Sequence, residues 1–300
     1  MEDKNIEPKD MPTALDCAIR VNEKGTFNPG YNVNGIMYFN YICNDDWKEY
    51  LKKMSPSHQR QYGMGSGGEL NEGRYPPKMA SFGSSSRLIY ELSKKERDFI
   101  FEEKLDTRVG GTANLDGFIR KGDHYIYIEA KRREIYYPSH ERQEIKSVYS
   151  PVYLQIAKVC KDFDFSQENS ETKNGEETKR ITFKIRKKPV RYFDLKQLIC
   201  HFLGIAYDIV KHSVSNVTIT FLYLLYDPIN VEQDIDKKYR KKVMERYEEV
   251  VLFIKDNKDI FEKIFHAVLQ YQAETHNRDV PSIKFNFKLV DQKHYQSELK

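Results

Sequence analysis

Apolar positions in this chain either alternate with a period of two or recur every three to four residues, and the changes of period mark its elements. Up to about residue 34 neither period holds, and "NEKGTFNPGYNVNG" is full of turn formers. "IMYFNYIC" reads as a short strand and "DDWKEYLKKM" as a short helix opened by Asp. From Ser55 to Gly83 the Gly, Pro and Ser residues predict one long loop, and loops of that length carry function more often than not. Helical spacing resumes at "SSSRLIYELSKKE", where Ser84 to Ser86 supply N-caps and Leu88, Ile89 and Leu92 form a stripe. Three strands follow: "DFIFEEKLDT", then "ANLDGFIRKG" after the turn "RVGGT", then "HYIYIEAKR" after the tight turn at Lys121 to Asp123.

The segment "RQEIKSVYSPVYLQIAKVCKDF" has helical period, with Pro151 as a break or fresh start. "SQENSETKNGEETKR" has no period and reads as an exposed loop. "ITFKIRKKPVRYFDLKQLICHFLGIAYDIVKH" starts as a strand and becomes a helix capped by Asp194. "NVTITFLYLLYDP" is the most apolar stretch, the pattern of a central strand. Two amphipathic helices, about 235–255 and 257–275, precede a last alternating strand, "SIKFNFKLV". The order predicts a mixed α/β fold, one central sheet flanked by helices. Residues 1–83 then form an N-terminal extension with the Gly-rich loop, and residues 84–300 carry the core and the C-terminal helices; the two can equally be one continuous domain.

Composition narrows the class. Hydrophobic residues make up 39% and charged residues 31% of 300, the balance of a soluble globular chain with ample length for a core. No apolar run reaches membrane-spanning length, and the start lacks the apolar centre of a signal peptide. Cys17, Cys43, Cys160 and Cys200 are scattered without a CxxC pair, which argues against a zinc knuckle or a disulfide framework. The expectation is a cytoplasmic protein with free thiols and no membrane partner. A net charge of +4 is compatible with a polyanionic ligand without requiring one. Two basic runs, Lys184 to Arg191 and Lys237 to Lys242, are phosphate-contact candidates or solvated faces.

The candidate chemistry lies in "NLDGFIRKGDHYIYIEAKRREIYY", Asn114 to Tyr137. Alternation puts Tyr125, Tyr127, Glu129 and Lys131 on one face of the third strand, and Ile126, Ile128 and Ala130 on the face that packs. The hairpin brings Asp116 of the preceding strand toward Glu129. Two neighbouring carboxylates repel unless they share a proton or a cation. A hard divalent ion suits them: Mg²⁺, with Mn²⁺ as substitute, held by Asp116, Glu129 and the backbone carbonyl of Ala130. Lys131 would then serve the attacking water and offset charge on a phosphate. A charged, salt-bridged sheet edge is the plainer alternative.

With twelve residues between Asp116 and Glu129, "LDG" followed by "EAK" resembles the signature of the PD-(D/E)XK nuclease superfamily, with Leu115 where the motif has Pro. "FEEKLDTRVGGTANLDGFI", "IYIEAKRREIYY", "KQLICHFLGI" and "TFLYLLYDP" are similar, in order, to blocks of bacterial type II-like restriction endonucleases. The resemblance covers about residues 84–228. It implies a restriction-endonuclease-like core and a Mg²⁺-dependent endonuclease acting on double-stranded DNA, often as a homodimer. It also implies an accessory acid, either Glu91 on the helix before the strands or Glu103 on the first strand, and a polar residue near the scissile phosphate, Gln197. Glu134, Arg132 and Arg133 lie just past the triplet, the arginines as phosphate contacts. His201 reads as a core or rim histidine. His276-Asn277 lacks the rest of a His-Asn nuclease motif, and Ser84 to Ser86 lack the His and Asp of a triad. The alternatives are a non-catalytic binding module on the same fold, or a toxin or repair nuclease with the same chemistry.

Overall fold

The computed structural model describes residues 30–33, 36–39, 44–64, 68–70, 77–81, 84–132, 143–169, 178–190, 193–227 and 237–299. A hairpin of β1 (Gly30–Val33) and β2 (Ile36–Phe39) precedes α1 (Asn44–Lys53), α2 (Pro56–Gly63) and α3 (Ser85–Ser93). Next come β3 (Ile100–Asp106), β4 (Thr112–Lys121), β5 (His124–Lys131), β6 (Gln143–Lys146) and α4 (Ser150–Val159). Then follow β7 (Phe163–Asn169), β8 (Thr178–Ile185), β9 (Lys188–Pro189), α5 (Leu195–Lys211) and β10 (Val217–Leu225). The chain closes with α6 (Lys237–Asp256), α7 (Lys258–Thr275), β11 (Ile283–Val290) and α8 (Tyr295–Glu298).

The protein is mixed α/β, with a five-stranded mixed central sheet in the order β11-β10-β5-β4-β3. β11, β10 and β5 run parallel, while β5, β4 and β3 form an antiparallel meander. A second, smaller sheet joins β6, β8 and β7, with β9 paired to β8.

Both faces of the central sheet are buried. On one, Tyr125, Tyr127, Phe221 and Phe287 join a core built with α4, α5 and α7. On the other, Ile126, Ile128, Leu222 and Leu224 pack with Trp47, Tyr62, Leu88 and Tyr295. The expectation that only the Ile126 face packs is therefore corrected. A strand flanked by a parallel partner and covered by helices on both sides buries both sets of side chains. Trp47, Met54, Tyr62, Leu70, Met79 and Ala80 share the second core with β5, and the C-terminal α8 does too: the Tyr295 hydroxyl and the Ser93 hydroxyl of α3 lie 2.7 Å apart.

Three segments differ from the sequence reading. The predicted loop begins with α2, because Ser55 accepts a hydrogen bond from the His58 N–H at 3.2 Å and Pro56 occupies the first turn. Tyr62 anchors that helix against Tyr90 and Phe101. The predicted exposed loop after α4 is bounded by β7 and β8, whose inward Phe163, Ile181, Phe183 and Ile185 are buried. β6 lies in a stretch expected to be helical.

The β3–β4 ribbon carries the feature that makes the site. Its register is continuous, Phe101 opposite Gly117 and Glu103 opposite Leu115, yet Glu102 between them has φ +55. The left-handed residue turns the ribbon over: Phe99 and Phe101 face the second core, whereas Leu105 faces the first. β4 turns with it, so Leu115 and Ile119, of equal parity, face opposite cores. Gly117 sits at the twist because a Cβ there would lie 2.4 Å from Phe99 Cζ. Gly204 lets α5 cross close above the ribbon, where a Cβ would be 2.6 Å from that of Ala113.

Candidate active site

β4 and β5 pair from Lys121–His124 as far as Gly117–Ile128, and there β4 leaves the ladder. The next opposed residues would be Asp116 and Glu129. β5 stays paired to β10 through Lys131, and Tyr226 N–H donates to the Lys131 carbonyl at 2.9 Å. Neighbouring strand residues point their backbone groups to opposite edges, so Ala130 aims its N–H and C=O into the opening. The Asp116 carboxylate fills the vacated acceptor position, and Ala130 N–H donates to its Oδ2 at 2.7 Å.

Two helices point their first turns at this opening, one from each face of the sheet. From α3, the Ser85 hydroxyl donates to Asp116 Oδ1 at 3.2 Å, and the Ser86 hydroxyl donates to Glu102 Oε1 at 2.7 Å. From α5, Gln197 accepts the Lys131 ammonium at 2.6 Å. Asp194 caps α5 by accepting from the Gln197 N–H at 2.8 Å, which fixes that first turn. Lys131 also donates to Glu129 Oε1 at 2.6 Å, both side chains being more than nine-tenths buried. One turn along α5, His201 Nε2 lies 3.0 Å from Glu129 Oε2.

The two central acids are driven apart electrostatically. Burial pushes Asp116 well above the ordinary carboxylate range, and the charges of Glu129 and Glu102 push it further. Burial also acts against Glu129 as an anion, but Lys131 and His201 outweigh it and hold it at about 2. The surroundings thus favour the anion at Glu129 and the neutral form at Asp116. Glu102 is raised to about 7, first by burial and then by Glu69 and Glu129. Glu69 is itself buried, with Lys78 donating to its Oε1 at 3.2 Å.

No protein-family model, no curated protein and no solved structure matches this chain.

Asp116, Glu129, Ala130, Lys131 and Gln197 are brought together; Glu91 is not. Glu91 is exposed on the outer side of α3 and pairs with Lys94 at 2.5 Å. Glu103 turns toward the other side, where burial and Asp208 of α5 raise it. The strand acid that reaches the site is its neighbour Glu102, swung over by its positive φ. The period-two pattern gives no sign of such a turn. Ser85 and Ser86, read as caps, hold the site acids. His201 was readable only by its spacing, four residues past Gln197 on one helix face. Glu134 and Arg133 lie outside the described residues, as does part of the Gly-rich stretch.

Several residues of the first basic run and its sheet stand opposite or beside acids. In the small sheet Lys184 stands directly opposite Asp164, and Arg180 opposite Glu168. Arg186 pairs with Asp259 at 3.1 Å. Lys237 to Lys242 open α6.

Among the described residues, no group of three or more His, Cys, Asp or Glu side chains is arranged to hold a metal ion. The donor set here is two carboxylates and one aimed carbonyl. That is sparse for Zn²⁺ and matches the one or two carboxylates, completed by water, that Mg²⁺ accepts. Burial first, and then the charges of Glu129 and Glu102, push Asp116 toward its neutral form at this point of the donor set.

Proposed function

We propose that this chain is a Mg²⁺-dependent endonuclease that hydrolyses phosphodiester bonds in double-stranded DNA, on a core of the restriction-endonuclease-like kind. The observation that carries the reading is the opening between β4 and β5, where buried Asp116 and Glu129 converge beside the Lys131 ammonium. The resemblance of "LDG" and "EAK" to the PD-(D/E)XK signature supports it, because the fold sets those residues side by side.

Asp116, Glu129 and the Ala130 carbonyl would hold the cation, and Mn²⁺ would substitute for Mg²⁺. A divalent ion there supplies Lewis acidity toward the phosphate and the attacking water. A cation there would favour the ionised form of Asp116, against the burial that favours its neutral form. Lys131, fixed by two acceptors, presents buried positive charge where the phosphate becomes more negative. Gln197 holds Lys131 and brings the first turn of α5 alongside, and the first turn of α3 approaches from the opposite face. Both helix starts favour an anion between them. A restriction role, a cytoplasmic setting and a homodimer that cuts both strands belong to this proposal. No helix among the described residues is long and apolar enough to cross a membrane.

Plasmid DNA incubated with the protein and Mg²⁺, beside Asp116→Ala and Lys131→Ala, tests the reading. Discrete fragments from the wild type alone support site-specific cutting. A smear from the wild type alone supports a nonspecific nuclease of the toxin or repair kind. Intact plasmid in every lane, with Mg²⁺ or Mn²⁺, overturns the catalytic proposal in favour of a binding module.

A further inference from the structure

Lys131 holds one oxygen of Glu129; the other faces a histidine that the proposed hydrolysis gives no task. His201 is 2% exposed, on the buried stripe of α5 between Leu198 and Phe202. Its Nε2 lies 3.0 Å from Glu129 Oε2, within ion-pair reach, and neither ring nitrogen has an aligned hydrogen-bond partner, Glu129 included. Phe221 of β10 lies 6.1 Å from the imidazole, ring centre to ring centre. Four residues earlier on the same helix, Gln197 accepts from Lys131. One stripe of α5 thus reaches both ends of the Glu129–Lys131 pair, Gln197 at the ammonium and His201 at the carboxylate.

We infer that His201 is the positioning residue of Glu129: its Nε2–H fixes Oε2 while Lys131 fixes Oε1, so the carboxylate plane is set by two anchors. With Lys131 alone, the carboxylate can rotate about its terminal torsion, which is broad. With both anchors, its remaining lone pairs keep one direction. Ligand-orienting partners of this kind change metal affinity or activity by roughly 10- to 100-fold when removed. The functional part of this inference rests on the cation site proposed above; the Glu129–His201 contact does not.

Two variants separate positioning from packing. His201→Phe keeps a ring beside Phe221 but removes the donor, and His201→Gln keeps an N–H donor. Mn²⁺ affinity is read by electron paramagnetic resonance without DNA, after thermal melts show both variants folded. The expected result is a roughly 10- to 100-fold weaker affinity for His201→Phe, with His201→Gln within about threefold of wild type. Wild-type affinity in His201→Phe overturns the inference, and so does an equal loss in both variants. A second readout needs no cation. In protein labelled with ¹⁵N-histidine, the His201 resonances, assigned by their loss in His201→Gln, should show a protonated Nε2 that shifts in Glu129→Gln. A bare Nε2, or one indifferent to Glu129→Gln, overturns it. If wild type binds Mn²⁺ in this pattern yet cuts no DNA, the nuclease reading fails and the positioning role stands. If wild type binds no Mn²⁺, the cation site fails and the nitrogen resonances alone decide.

Discussion

Glu102→Gln should stabilise the folded protein in alkali and have no pH-dependent effect in acid. Glu102 is held at about 7 in the folded chain, against an ordinary 4.5, chiefly by burial and then by the charges of Glu69 and Glu129. Between those two pH values the folded chain binds the proton and the unfolded chain does not, so stability falls as pH rises. The favourable contribution is complete below 4.5 and is lost by the time pH has passed about 7. At about 1.36 kcal/mol per pKa unit, the interval amounts to at most about 3 kcal/mol. Gln removes the titration and keeps an acceptor for the Ser86 hydroxyl, which bonds Glu102 at 2.7 Å. Urea denaturation of both proteins at pH 4.5, 6, 7 and 8 reads the difference directly. The variant should gain on wild type across that range, most of it between pH 5 and 7.5. A difference that stays flat with pH would show that Glu102 titrates normally, and the crowding of acids behind β4 would be refuted.

Asp116→Asn should keep the fold, since its amide oxygen can still accept from Ala130 N–H, but abolish cleavage. It should also lose the rise in melting temperature that millimolar Mn²⁺ gives the wild type, a difference that a thermal-shift series detects. Glu91→Gln should leave plasmid cleavage within about twofold, because an exposed i,i+3 pair contributes little. Ser85→Ala should lower it roughly five- to tenfold by freeing Asp116 Oδ1, consistent with the loss of one hydrogen bond to a buried acid; equal rates for the two would undo the assignment of α3's first turn. Gly117→Ala, whose new methyl would meet the Phe99 ring at 2.4 Å, should cost about 2 kcal/mol, seen as a fall in melting temperature.

The triplet on β5 was legible because strand periodicity depends on nothing but the local backbone. Tyr125 to Lys131 alternate as expected, and hairpin counting places Asp116 opposite Glu129. What the period cannot report is what covers each face. Tyr125 and Tyr127, polar at the hydroxyl, suggest a half-exposed surface; helices α5 and α7 cover them. The choice between Glu102 and Glu103 was beyond reach for a related reason. One residue at positive φ inverts the strand, and a Glu in that conformation carries no sequence mark as a Gly would. Glu91 and Glu103 stood as alternatives for the accessory acid because only packing decides which side of α3 faces the sheet, and it leaves Glu91 exposed. By contrast, Ser55 followed by Pro56 does announce α2, and the glycines after Tyr62 mask it. The strands β7 and β8 were hidden by charge: Asp164, Glu168, Arg180 and Lys184 point outward in opposed pairs, and only their inward apolar partners betray the period.

The opening between β4 and β5 follows from that inversion. Were the two strands paired to their ends, Ala130 N–H would be satisfied by the β4 backbone and Asp116 would have no donor in the sheet. Turning the ribbon at Glu102 frees the Ala130 edge and swings both Asp116 and Glu102 inward, where Glu129 already stands. A non-glycine residue at positive φ costs on the order of 1–3 kcal/mol, and gathering carboxylates in a dry space adds to it, as the raised Asp116 and Glu102 record. An apolar residue at Asp116 would relieve the second cost, and only a glycine at Glu102 would relieve the first. Lys131 bonds Glu129 and also acts to lower Asp116, yet burial and the neighbouring acids keep Asp116 well above the ordinary carboxylate range. In the proposed chemistry a cation beside Asp116 would supply positive charge where burial and the neighbouring acids disfavour the bare anion.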